Sequence, residues 1–394
     1  MHTQVAIVGA GPAGLMLSHL LARAGIQSVV LEHRSRDYVE RRVRAGVLEH
    51  QSVELLCQTG VGDRLRAESL VHHGIELRFD GESHRIDLSA LTGGKSITVY
   101  GQQEVVKDLI TARLADGGDV RFEAAVTTVE GLQDERPTLR YHYDGAERVL
   151  TADFVAACDG SHSVCRDAIP RSAIRMYQRT YPFAWLGILA AVAPSSEELI
   201  YAYHPRGFAL QSMRTPNITR AYLQCAPDEN LDEWSDERIW DELSTRFELP
   251  GFTLGSGPIL ERAVTAMRSF VAEPMQHGRL FLLGDAAHVV PPTGAKGMNL
   301  ALGDARALAS AMARHYRDGK DDWLDAYSQT CLPRVWRAEH FSWWMTSMLH
   351  RADEDHFTEK LQLSQLHYVT SSAAAMTSLA ENYVGLSYPD RPSR

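Results

Sequence analysis

The hydrophobic pattern near the start of the chain predicts a strand, a helix and a second strand. Residues 5–8 (VAIV) and 29–31 (VVL) are apolar throughout, which is typical of strands buried on both faces of a parallel sheet. Between them, apolar side chains at positions 17, 20, 21 and 24 follow the spacing of an amphipathic helix. This order predicts a βαβ unit, the repeating element of α/β folds.

The pattern changes further along the chain. Residues 139–143 and 219–224 alternate between apolar and polar side chains, as expected for a sheet with one covered face. Helical periodicity dominates after residue 297, and we interpret its aromatic-rich segment 341–345 as core or subunit interface. We therefore predict three regions: a discontinuous α/β domain with a parallel sheet (1–71, 101–179 and 269–296), a mostly antiparallel β-sheet domain (72–100 and 180–268) and a helical C-terminal region (297–394).

Composition excludes several classes of function. The 394 residues carry a formal net charge of −10, so we expect no binding to nucleic acid or to anionic membranes. No segment approaches the roughly 20 apolar residues of a membrane span. The five cysteines show no CxxC spacing, which predicts neither disulfides nor a zinc site. Because strand-like residues follow Met1 almost directly, we expect no leader peptide. The cysteine pattern fits a reducing, cytoplasmic setting, and we expect no bound metal.

A glycine-rich loop joins the first strand to the first helix. Gly9, Gly11 and Gly14 stand in GxGxxG register, and Glu32 lies at the end of the next strand. The glycines allow a tight turn and a close approach to a pyrophosphate, and the acid accepts a hydrogen bond from a ribose hydroxyl. The first domain is therefore predicted to be Rossmann-like and to bind a dinucleotide. The loop alone does not distinguish a nicotinamide from a flavin dinucleotide.

A second unusual segment starts at residue 280. Residues 280–283 are apolar and predict a buried strand, yet Gly284 and Asp285 follow it directly, and prolines and glycines delay the next helix. A carboxylate at the end of a buried strand needs hydrogen-bond donors. Taken alone, Asp285 also fits the N-cap of a helix that begins at residue 286.

Two motifs accompany the glycine loop. The segment CDGSHSVCR has a DGxxSxxR arrangement, made of Asp159, Gly160, Ser163 and Arg166. The segment GDAAHVVPPTGAKGMN contains Gly284, Asp285, Pro291, Gly294, Gly297 and Asn299. With the glycine loop, these motifs resemble the class A flavoprotein monooxygenases, which are single-component FAD-dependent aromatic hydroxylases.

The resemblance implies FAD as the resident cofactor and NADPH or NADH as the co-substrate. Asp285 would bind the ribityl chain of FAD, and the DGxxSxxR motif would serve both FAD and the nicotinamide. The chain contains no second GxGxxG. We therefore expect the nicotinamide to dock transiently against the flavin domain.

The similarity extends over nearly the whole chain. The longer matching segments include RAGVLEH (44–50), TVYGQQEV (98–105), LIYAYHPRGFALQS (199–212), FSWWMTSMLHR (341–351) and AENYVGL (380–386). They resemble the branch of the family that hydroxylates 4-hydroxybenzoate to 3,4-dihydroxybenzoate. This resemblance implies that the reduced flavin activates O2 as a C4a-hydroperoxide, that the second domain binds the small aromatic acid, and that the protein is a homodimer.

The resemblance also assigns residues to the carboxylate end of the substrate. Arg214 would pair with the carboxylate, because its planar guanidinium can donate two parallel hydrogen bonds. Ser212 and Tyr222 would assist it. Tyr222 lies in an alternating segment, so it also fits a plain core position.

Further residues are assigned to the phenol end. Tyr201 would contact the substrate hydroxyl and pass its proton through Tyr383 toward His72, because a phenol must approach its anion before its ring attacks an electrophilic oxygen. Pro292 would offer its carbonyl to the same hydroxyl, with Thr293 close by. Taken alone, Tyr201 also fits a core position, and His72 also fits a solvated position on the surface.

The cofactor residues implied by the motifs and the resemblance form a longer set. For FAD they are Gly9, Gly11, Gly14, Glu32, Arg42, Arg44, Gln102, Asp159, Arg220, Asp285, Gly297 and Asn299. For the nicotinamide they are His33, Arg34, Tyr38, Arg44 and His162. Arg220 also fits a surface ion pair. The choice between NADH and NADPH stays open, because Asp37 and Glu40 dilute the positive charge of the arginines between residues 34 and 42.

Two other functions remain possible from the residues. A hydroxylase of another benzoate, with a 3-hydroxy, amino or dihydroxy ring, would use Arg214 and Ser212 in the same way. A non-catalytic protein with an FAD fold would keep the glycine loop without the chemistry. The proton route from Tyr201 to His72 favours a para phenol over the other benzoates. The DGxxSxxR motif and the motif from Gly284 to Asn299 disfavour a non-catalytic protein.

Overall fold

The computed structural model describes residues 1–43, 46–352, 355–385 and 388. Its strands are, in chain order, β1 (His2–Val8), β2 (Ser28–Leu31), β3 (Val47–Leu48), β4 (Leu70–His72), β5 (Gly74–Phe79), β6 (Glu82–Asp87), β7 (Ile97–Val99), β8 (Asp119–Arg121), β9 (Ala125–Glu130), β10 (Thr138–Tyr143), β11 (Ala146–Ala157), β12 (Arg175–Ala190), β13 (Leu199–Ala202), β14 (Ala209–Thr215), β15 (Ile218–Cys225), β16 (Ile259–Glu273), β17 (Gln276–His277), β18 (Leu280–Leu282) and β19 (His288–Val289).

The α-helices are α1 (Pro12–Arg23), α2 (Arg36–Arg41), α3 (His50–Gln58), α4 (Asp63–Glu68), α5 (Leu88–Leu91), α6 (Gln102–Ala115), α7 (Val164–Asp167), α8 (Asp236–Arg246), α9 (Gly297–Asp318), α10 (Asp322–Asp325), α11 (Tyr327–Leu349), α12 (His356–Ser371) and α13 (Ala373–Val384). Short 3₁₀ turns occupy Leu231–Glu233, Gly284–Ala286 and Pro292–Gly294. No helix among these is long and apolar enough to cross a bilayer.

The first sheet confirms the predicted βαβ unit. Its strand order is β17-β18-β11-β1-β2-β8, and β1 pairs in parallel with both β11 and β2. The helices α1, α6 and α9 pack together beside this sheet. Both faces of β1 and β2 are covered, which explains why their sequences are apolar without alternation. The alternating segment 139–143 belongs to β10, which extends this sheet by antiparallel pairing with β11 and β9.

The second sheet is mostly antiparallel, as predicted. Its order is β19-β16-β12-β15-β14-β13-β5-β6, and β13 with β5 is its parallel pair. The long strands β12 and β16 run side by side from Arg175 paired with Glu273 to Ala190 paired with Ile259. Both strands continue through the domain boundaries predicted near residues 180 and 268. Those boundaries stay a prediction.

The two faces of the second sheet have different partners. One face packs against α8, with a core that includes Leu186, Leu223 and Leu243. The opposite face carries Trp185, Tyr201 and Leu210, and it packs against the C-terminal helices α11, α12 and α13. Because side chains alternate along a strand, the sequence alternation of β15 determines which residues reach each face.

The glycine loop shows why two of its three glycines are needed for the fold itself. A Cβ on Gly14 would lie 2.0 Å from the carbonyl oxygen of Gly9, and one on Gly9 would lie 2.3 Å from that of Cys158. Gly9 also has a positive φ of 105°. At Gly11, in contrast, a Cβ would meet no atom within 4 Å, and φ is −78°. The space beside Gly11 is therefore open.

This difference predicts opposite effects of two alanine substitutions. Gly14→Ala should lower the free energy of unfolding of the apoprotein by at least about 2 kcal/mol, because the helix must move away from the loop. Gly11→Ala should change it by less than about 0.5 kcal/mol, while weakening dinucleotide binding. Urea unfolding of both apoproteins, followed by circular dichroism, checks the prediction. Equal stabilities of the two variants would contradict this account of the packing.

Candidate active site

Glu32 closes the glycine loop from the end of β2. Its Oε2 accepts a hydrogen bond from the Ala10 backbone N–H at 2.8 Å, and its Oε1 accepts one from the Arg34 N–H at 2.8 Å. The His33 Nδ1 lies 3.0 Å from the same Oε1. The carboxylate therefore holds the loop to the residues before α2, and its Oε2 keeps a further acceptor position for a ligand hydroxyl.

Asp285 lies in a 3₁₀ turn directly after β18. The turn is Gly284–Ala286, its N-cap is Leu283, and no side chain caps it. The alternative that Asp285 caps a helix at residue 286 is therefore wrong. Asp285 is exposed between buried neighbours. Its carboxylate is thus available to a ligand beside the first sheet.

Buried groups fix this turn from two sides. The Asp304 Oδ2 accepts hydrogen bonds from the Gly284 N–H at 3.0 Å and from the His288 Nε2 at 2.7 Å. On the other side, the Arg166 guanidinium donates to the Ala286 carbonyl at 2.9 Å. Arg166 belongs to the DGxxSxxR motif, so the two motifs are physically joined.

Unpartnered polar atoms and open space test whether these residues fit FAD. The Asp159 Oδ1 and the Arg166 Nε are buried without a hydrogen-bond partner among the described residues. Burial raises the pKa of Asp159, although hydrogen bonds from Ser163 and Cys165 oppose the rise. Open space lies beside Gly11 and Gly297. Unsatisfied polar atoms in one motif, and open space at glycines of the other two, suit a polar cofactor, so the residues fit FAD.

The Asn299 side chain is hydrogen-bonded to backbone groups of the protein. Its side chain is fully buried, and its Nδ2 donates to the carbonyls of Val47 at 3.0 Å and Ala295 at 2.9 Å. Its Oδ1 accepts from the Glu49 N–H at 2.9 Å. Asn299 therefore joins the segment after residue 45 to the start of α9. A direct contact of Asn299 with FAD stays a prediction.

Sequence reasoning missed a buried ion pair beside this loop. The Lys296 Nζ lies 2.8 Å from the Glu49 Oε1 and donates to the Tyr383 carbonyl at 3.0 Å. The Arg334 guanidinium lies 3.7 Å from the same carboxylate. Burial lowers the pKa of Lys296, and Glu49 opposes that change. The partners are 247 positions apart, so no local pattern could have paired them.

Two further residues predicted for FAD lie on the central strand β15 of the second sheet and on α6. Arg220 is buried, its Nε and Nη1 have no hydrogen-bond partner among the described residues, and its Nη1 is 3.9 Å from the Glu261 carboxylate. It is therefore not the exposed surface pair that the alternative required. Gln102 is the first residue of α6. Arg44 lies outside the described residues.

The residues predicted for the substrate carboxylate share one face of the second sheet. Ser212 on β14 pairs in register with Arg220 on β15, and Leu210 pairs with Tyr222. The Arg214 guanidinium is hydrogen-bonded to Tyr222, and burial lowers the pKa of Arg214. The three predicted residues are therefore together at one end of this face, with a cation among hydroxyl groups.

The phenol-end residues meet under the loop after β19. The Tyr201 hydroxyl donates to the Thr293 carbonyl at 3.3 Å and forms a very short hydrogen bond with the Tyr383 hydroxyl. Burial raises the pKa of both tyrosines above the ordinary value, so both stay protonated. The Pro292 carbonyl already accepts from the Ala295 N–H at 2.9 Å. It keeps one lone pair for a further donor.

His72 is buried at the end of β4, so the solvated alternative is wrong. Neither of its ring nitrogens has a hydrogen-bond partner among the described residues. Burial lowers the pKa of His72 to about 4. The link from Tyr201 to Tyr383 is thus formed in this conformation, whereas a link from Tyr383 to His72 is not.

The residues predicted for the nicotinamide lie on the surface near α2 and α7. His33, Arg34 and Tyr38 are exposed, and His162 is exposed before α7. The guanidinium carbons of Arg34 and Arg42 lie 5.1 and 5.8 Å from the ring centre of Tyr38. Two arginines thus flank one aromatic ring close to the end of β2.

Comparison with known proteins identifies the family. The model of the FAD binding domain family matches residues 2–342. The p-hydroxybenzoate hydroxylase of Acinetobacter baylyi (strain ATCC 33305 / BD413 / ADP1) is 48% identical over 390 residues, which are 98% of this chain and 96% of that protein. The 6-hydroxy-3-succinoylpyridine 3-monooxygenase HspB of Pseudomonas putida (strain DSM 28022 / S16) is 26% identical over 348 residues, which cover 83% of this chain and 84% of that protein.

A solved structure supports the same fold. The p-nitrophenol 4-monooxygenase PnpA of Pseudomonas putida DLL-E4 superposes with a TM-score of 0.82, covers 96% of this chain and 97% of its own, and is 20% identical. At that identity the likeness concerns the fold. The family match and the near full-length relative go further and agree with the FAD-fitting site described above. The chain therefore belongs to the FAD binding domain family, as one of its class A FAD-dependent aromatic hydroxylases.

Proposed function

We propose that this hydroxylase converts 4-hydroxybenzoate to 3,4-dihydroxybenzoate, with NADPH or NADH as reductant and O2 as oxidant. The observation that carries the proposal is one sheet face with two chemically different ends. Arg214, Ser212 and Tyr222 form a cationic, hydroxyl-rich end. The hydrogen-bonded pair of Tyr201 and Tyr383 forms the other. A ring with a carboxylate and a para hydroxyl has matching groups, and the relative that is 48% identical carries this substrate in its name.

At the carboxylate end, Arg214 supplies the charge and its neighbours supply direction. Arginine stays protonated under all working conditions, so its lowered pKa does not remove the charge. The hydrogen bond to Tyr222 keeps the guanidinium on the sheet face. The Ser212 hydroxyl is only weakly engaged, by the Arg220 carbonyl at 3.4 Å. It can therefore turn to donate to a carboxylate oxygen.

At the phenol end, the two tyrosines stabilise the anion of the substrate. Because burial keeps Tyr201 and Tyr383 protonated, Tyr383 can donate to the Tyr201 oxygen while the Tyr201 hydroxyl turns from the Thr293 carbonyl toward a phenolate. Donation to the charged form lowers the pKa of the bound phenol. The ring carbon ortho to the phenolate then becomes the nucleophile. His72 is neutral near pH 7 because of its lowered pKa. It can accept the proton once a small movement connects it to Tyr383.

FAD, when bound, supplies the redox chemistry that takes electrons from the nicotinamide and activates O2. The chain itself holds and shields that cofactor. Gly11 leaves space for the pyrophosphate, and Asp285 offers its carboxylate to the ribityl hydroxyls. The helices α11 and α13 cover the sheet face with Phe341, Met345 and Tyr383, all buried. This apolar cover keeps water from the reacting ring.

The nicotinamide would dock on the surface around Tyr38. Arg34 and Arg42 are stacked on this ring, whereas the other arginines of α2 are paired one turn away, Arg36 with Glu40 and Arg41 with Asp37. Arg34 and Arg42 are therefore the described cations that suit the 2'-phosphate of NADPH. Initial rates with NADPH and NADH at equal concentration decide the coenzyme. If these residues bind the phosphate, Arg34→Gln should raise KM for NADPH and leave KM for NADH unchanged.

We also infer a homodimer and a cytoplasmic location. On α12, Phe357, Leu361 and Tyr368 are 71%, 57% and 56% exposed, and their spacing places them on one helix face with Ser364. Three large exposed apolar side chains on one helix face support a second copy as its partner. All five cysteines are unpaired, which supports a reducing compartment and can be checked by fractionation of the source cells.

The proposed substrate is tested with purified holoenzyme and a panel of benzoates. We expect 4-hydroxybenzoate to stimulate NAD(P)H oxidation most strongly and to yield 3,4-dihydroxybenzoate. If a 3-hydroxy, amino or dihydroxy benzoate stimulated NAD(P)H oxidation more strongly and was itself hydroxylated, that compound would be the substrate instead. A preparation without the visible absorption band of an oxidised flavin, even after FAD is added, would indicate the non-catalytic alternative.

Tyr201→Phe should separate binding from chemistry. Loss of the hydroxyl removes the donor to the phenolate, so product formation should fall about 100-fold while most NAD(P)H oxidation ends in hydrogen peroxide. The matched control is Tyr203→Phe, one residue past the end of β13 and in the same core, where the lost hydroxyl donates to the Gln362 Oε1 at 3.3 Å. Product and peroxide are measured together. Unchanged product yield in Tyr201→Phe would refute the role of this hydroxyl.

The dimer proposal predicts a charge-sensitive stripe. Replacement of both Phe357 and Leu361 by Asp should convert the protein to a monomer, because two carboxylates would be buried without partners. Leu260→Asp is the control, since Leu260 is also 56% exposed but lies on β16. Sedimentation velocity measures the mass. A wild type that is monomeric at micromolar concentration would disprove the proposal.

A further inference from the structure

The helix α11 and the residue after it carry a row of buried polar side chains that the proposed chemistry does not use. Glu339, Ser342, Thr346 and His350 are spaced by three, four and four positions, and none is more than 5% exposed. That spacing places them on one side of the helix. A buried polar side chain costs free energy unless it is hydrogen-bonded. We therefore expect these side chains to form specific hydrogen bonds with neighbouring elements.

This side of α11 faces the loop that borders the candidate active site. A Cβ on Gly294 would lie 2.6 Å from the Ser342 Oγ, so the loop backbone is in direct contact with the helix. The Thr346 Oγ1 lies 2.8 Å from the Thr293 Oγ1, within hydrogen-bond distance. Thr293 is the residue whose carbonyl accepts from Tyr201. The helix thus holds the loop at the phenol end of the site.

His350 extends these contacts to the sheet. Its Nε2 accepts a hydrogen bond from the Trp185 Nε1 at 2.6 Å, and its Nδ1 donates to the Thr346 carbonyl at 3.0 Å. The imidazole also stacks on Phe208 and Phe183, with ring centres 4.2 and 4.8 Å apart. Burial lowers the pKa of His350 to about 3. The ring is therefore neutral at working pH, with one donor and one acceptor nitrogen fixed by their partners.

The rings that His350 contacts support the predicted substrate residues. Trp185 packs on Tyr222 with ring centres 4.7 Å apart, and Phe208 packs on Tyr201 at 6.1 Å. Thr346 leads from the other nitrogen of His350 to Thr293. One imidazole is thus linked, through single intermediates, to both ends of the sheet face and to the loop between them.

We propose that His350 is a positioning residue that holds Trp185 and Thr346 in register, and thereby sets the distance between the carboxylate end and the phenol end of the aromatic-acid site. This proposal rests on the proposed function. His350 does not touch the reacting atoms in this scheme. Its effect passes through Trp185 to Tyr222 and through Thr346 to Thr293.

The test uses His350→Phe in the FAD-loaded enzyme. Phenylalanine keeps the stacked ring but removes the acceptor for Trp185 and the donor to Thr346. We expect the dissociation constant of 4-hydroxybenzoate, read from the flavin difference spectrum, to rise about ten-fold. We also expect a larger share of NAD(P)H oxidation to yield hydrogen peroxide. FAD content and FAD affinity should stay within about two-fold, because the partners of this imidazole among the described residues, Trp185, Thr346, Phe183 and Phe208, are not predicted cofactor residues.

A matched control separates positioning from general destabilisation. Ser328→Ala lies on the same helix and removes a buried hydroxyl that accepts from the Met275 N–H at 3.0 Å, near the first sheet. It should lower Tm as His350→Phe does, without a change in ligand affinity or in the peroxide share. If His350→Phe changes Tm alone, like this control, the proposal is overturned.

A double-mutant cycle with Trp185→Phe tests the route of the effect. If His350 acts through the Trp185 Nε1, the double variant should bind 4-hydroxybenzoate about as weakly as Trp185→Phe alone. If the dissociation constant of the double variant instead rose by the product of the two single rises, the two residues would act independently and this route would be refuted. If His350→Phe does not fold, Trp185→Phe decides alone, since it breaks the same hydrogen bond. The proposal would then be overturned if Trp185→Phe bound 4-hydroxybenzoate with wild-type affinity and released no larger share of hydrogen peroxide than the wild type.

The wild-type enzyme is assayed beside the variants. Failure of the wild type to hydroxylate 4-hydroxybenzoate would sink the proposed function before any variant is compared. Wild-type hydroxylation with unaffected variants would sink only the role of His350.

Discussion

The hydrogen bonds around Thr293 hold together three parts of the molecule that fold from distant segments. Its carbonyl accepts from Tyr201 on the second sheet, and its side chain meets Thr346 on α11. Tyr201 in turn meets Tyr383 on α13, whose own carbonyl accepts from Lys296 at the start of α9. Thr293 is fully buried. The loop beside the flavin site is therefore shaped by the same residues that would contact the substrate.

This arrangement explains why the site needs both sheets and the C-terminal helices. The first sheet provides an open glycine turn and the exposed Asp285, and the second provides a face with opposite chemical ends. The helices close that face and exclude water, which strengthens every hydrogen bond beneath them. Buried tyrosines keep their protons in such surroundings and can act as donors. The same burial keeps His72 and His350 neutral.

Local sequence patterns could predict the elements of the fold, because they depend on neighbouring residues. The unbroken apolar runs of β1 and β2 indicated a doubly covered sheet, and the glycine spacing indicated the turn before α1. The alternation in β15 indicated a two-sided strand, although only strand pairing shows that Tyr222 lies beside Leu210. Resemblance supplied the candidate residues Tyr201 and Arg214, which no spacing rule would have selected.

The partners of buried groups could not be predicted in this way. Lys296 meets Glu49, and His350 meets Trp185, across separations that only tertiary packing defines. Asn299 belongs to a recognised motif, yet its hydrogen bonds go to backbone groups around residues 47–49 and 295. A motif therefore indicated that the residue matters for the site, and the structure was needed to show which atoms it holds.

The buried tyrosine pair is proposed to stabilise the anion of a bound phenol. The most direct measurement is the pKa of the hydroxyl of 4-hydroxybenzoate bound to the oxidised holoenzyme, followed by the ultraviolet absorbance of the phenolate as the pH is raised. We predict that the bound hydroxyl ionises at a lower pH than that of the free ligand. A bound hydroxyl with a pKa equal to or higher than that of the free ligand would contradict the claim.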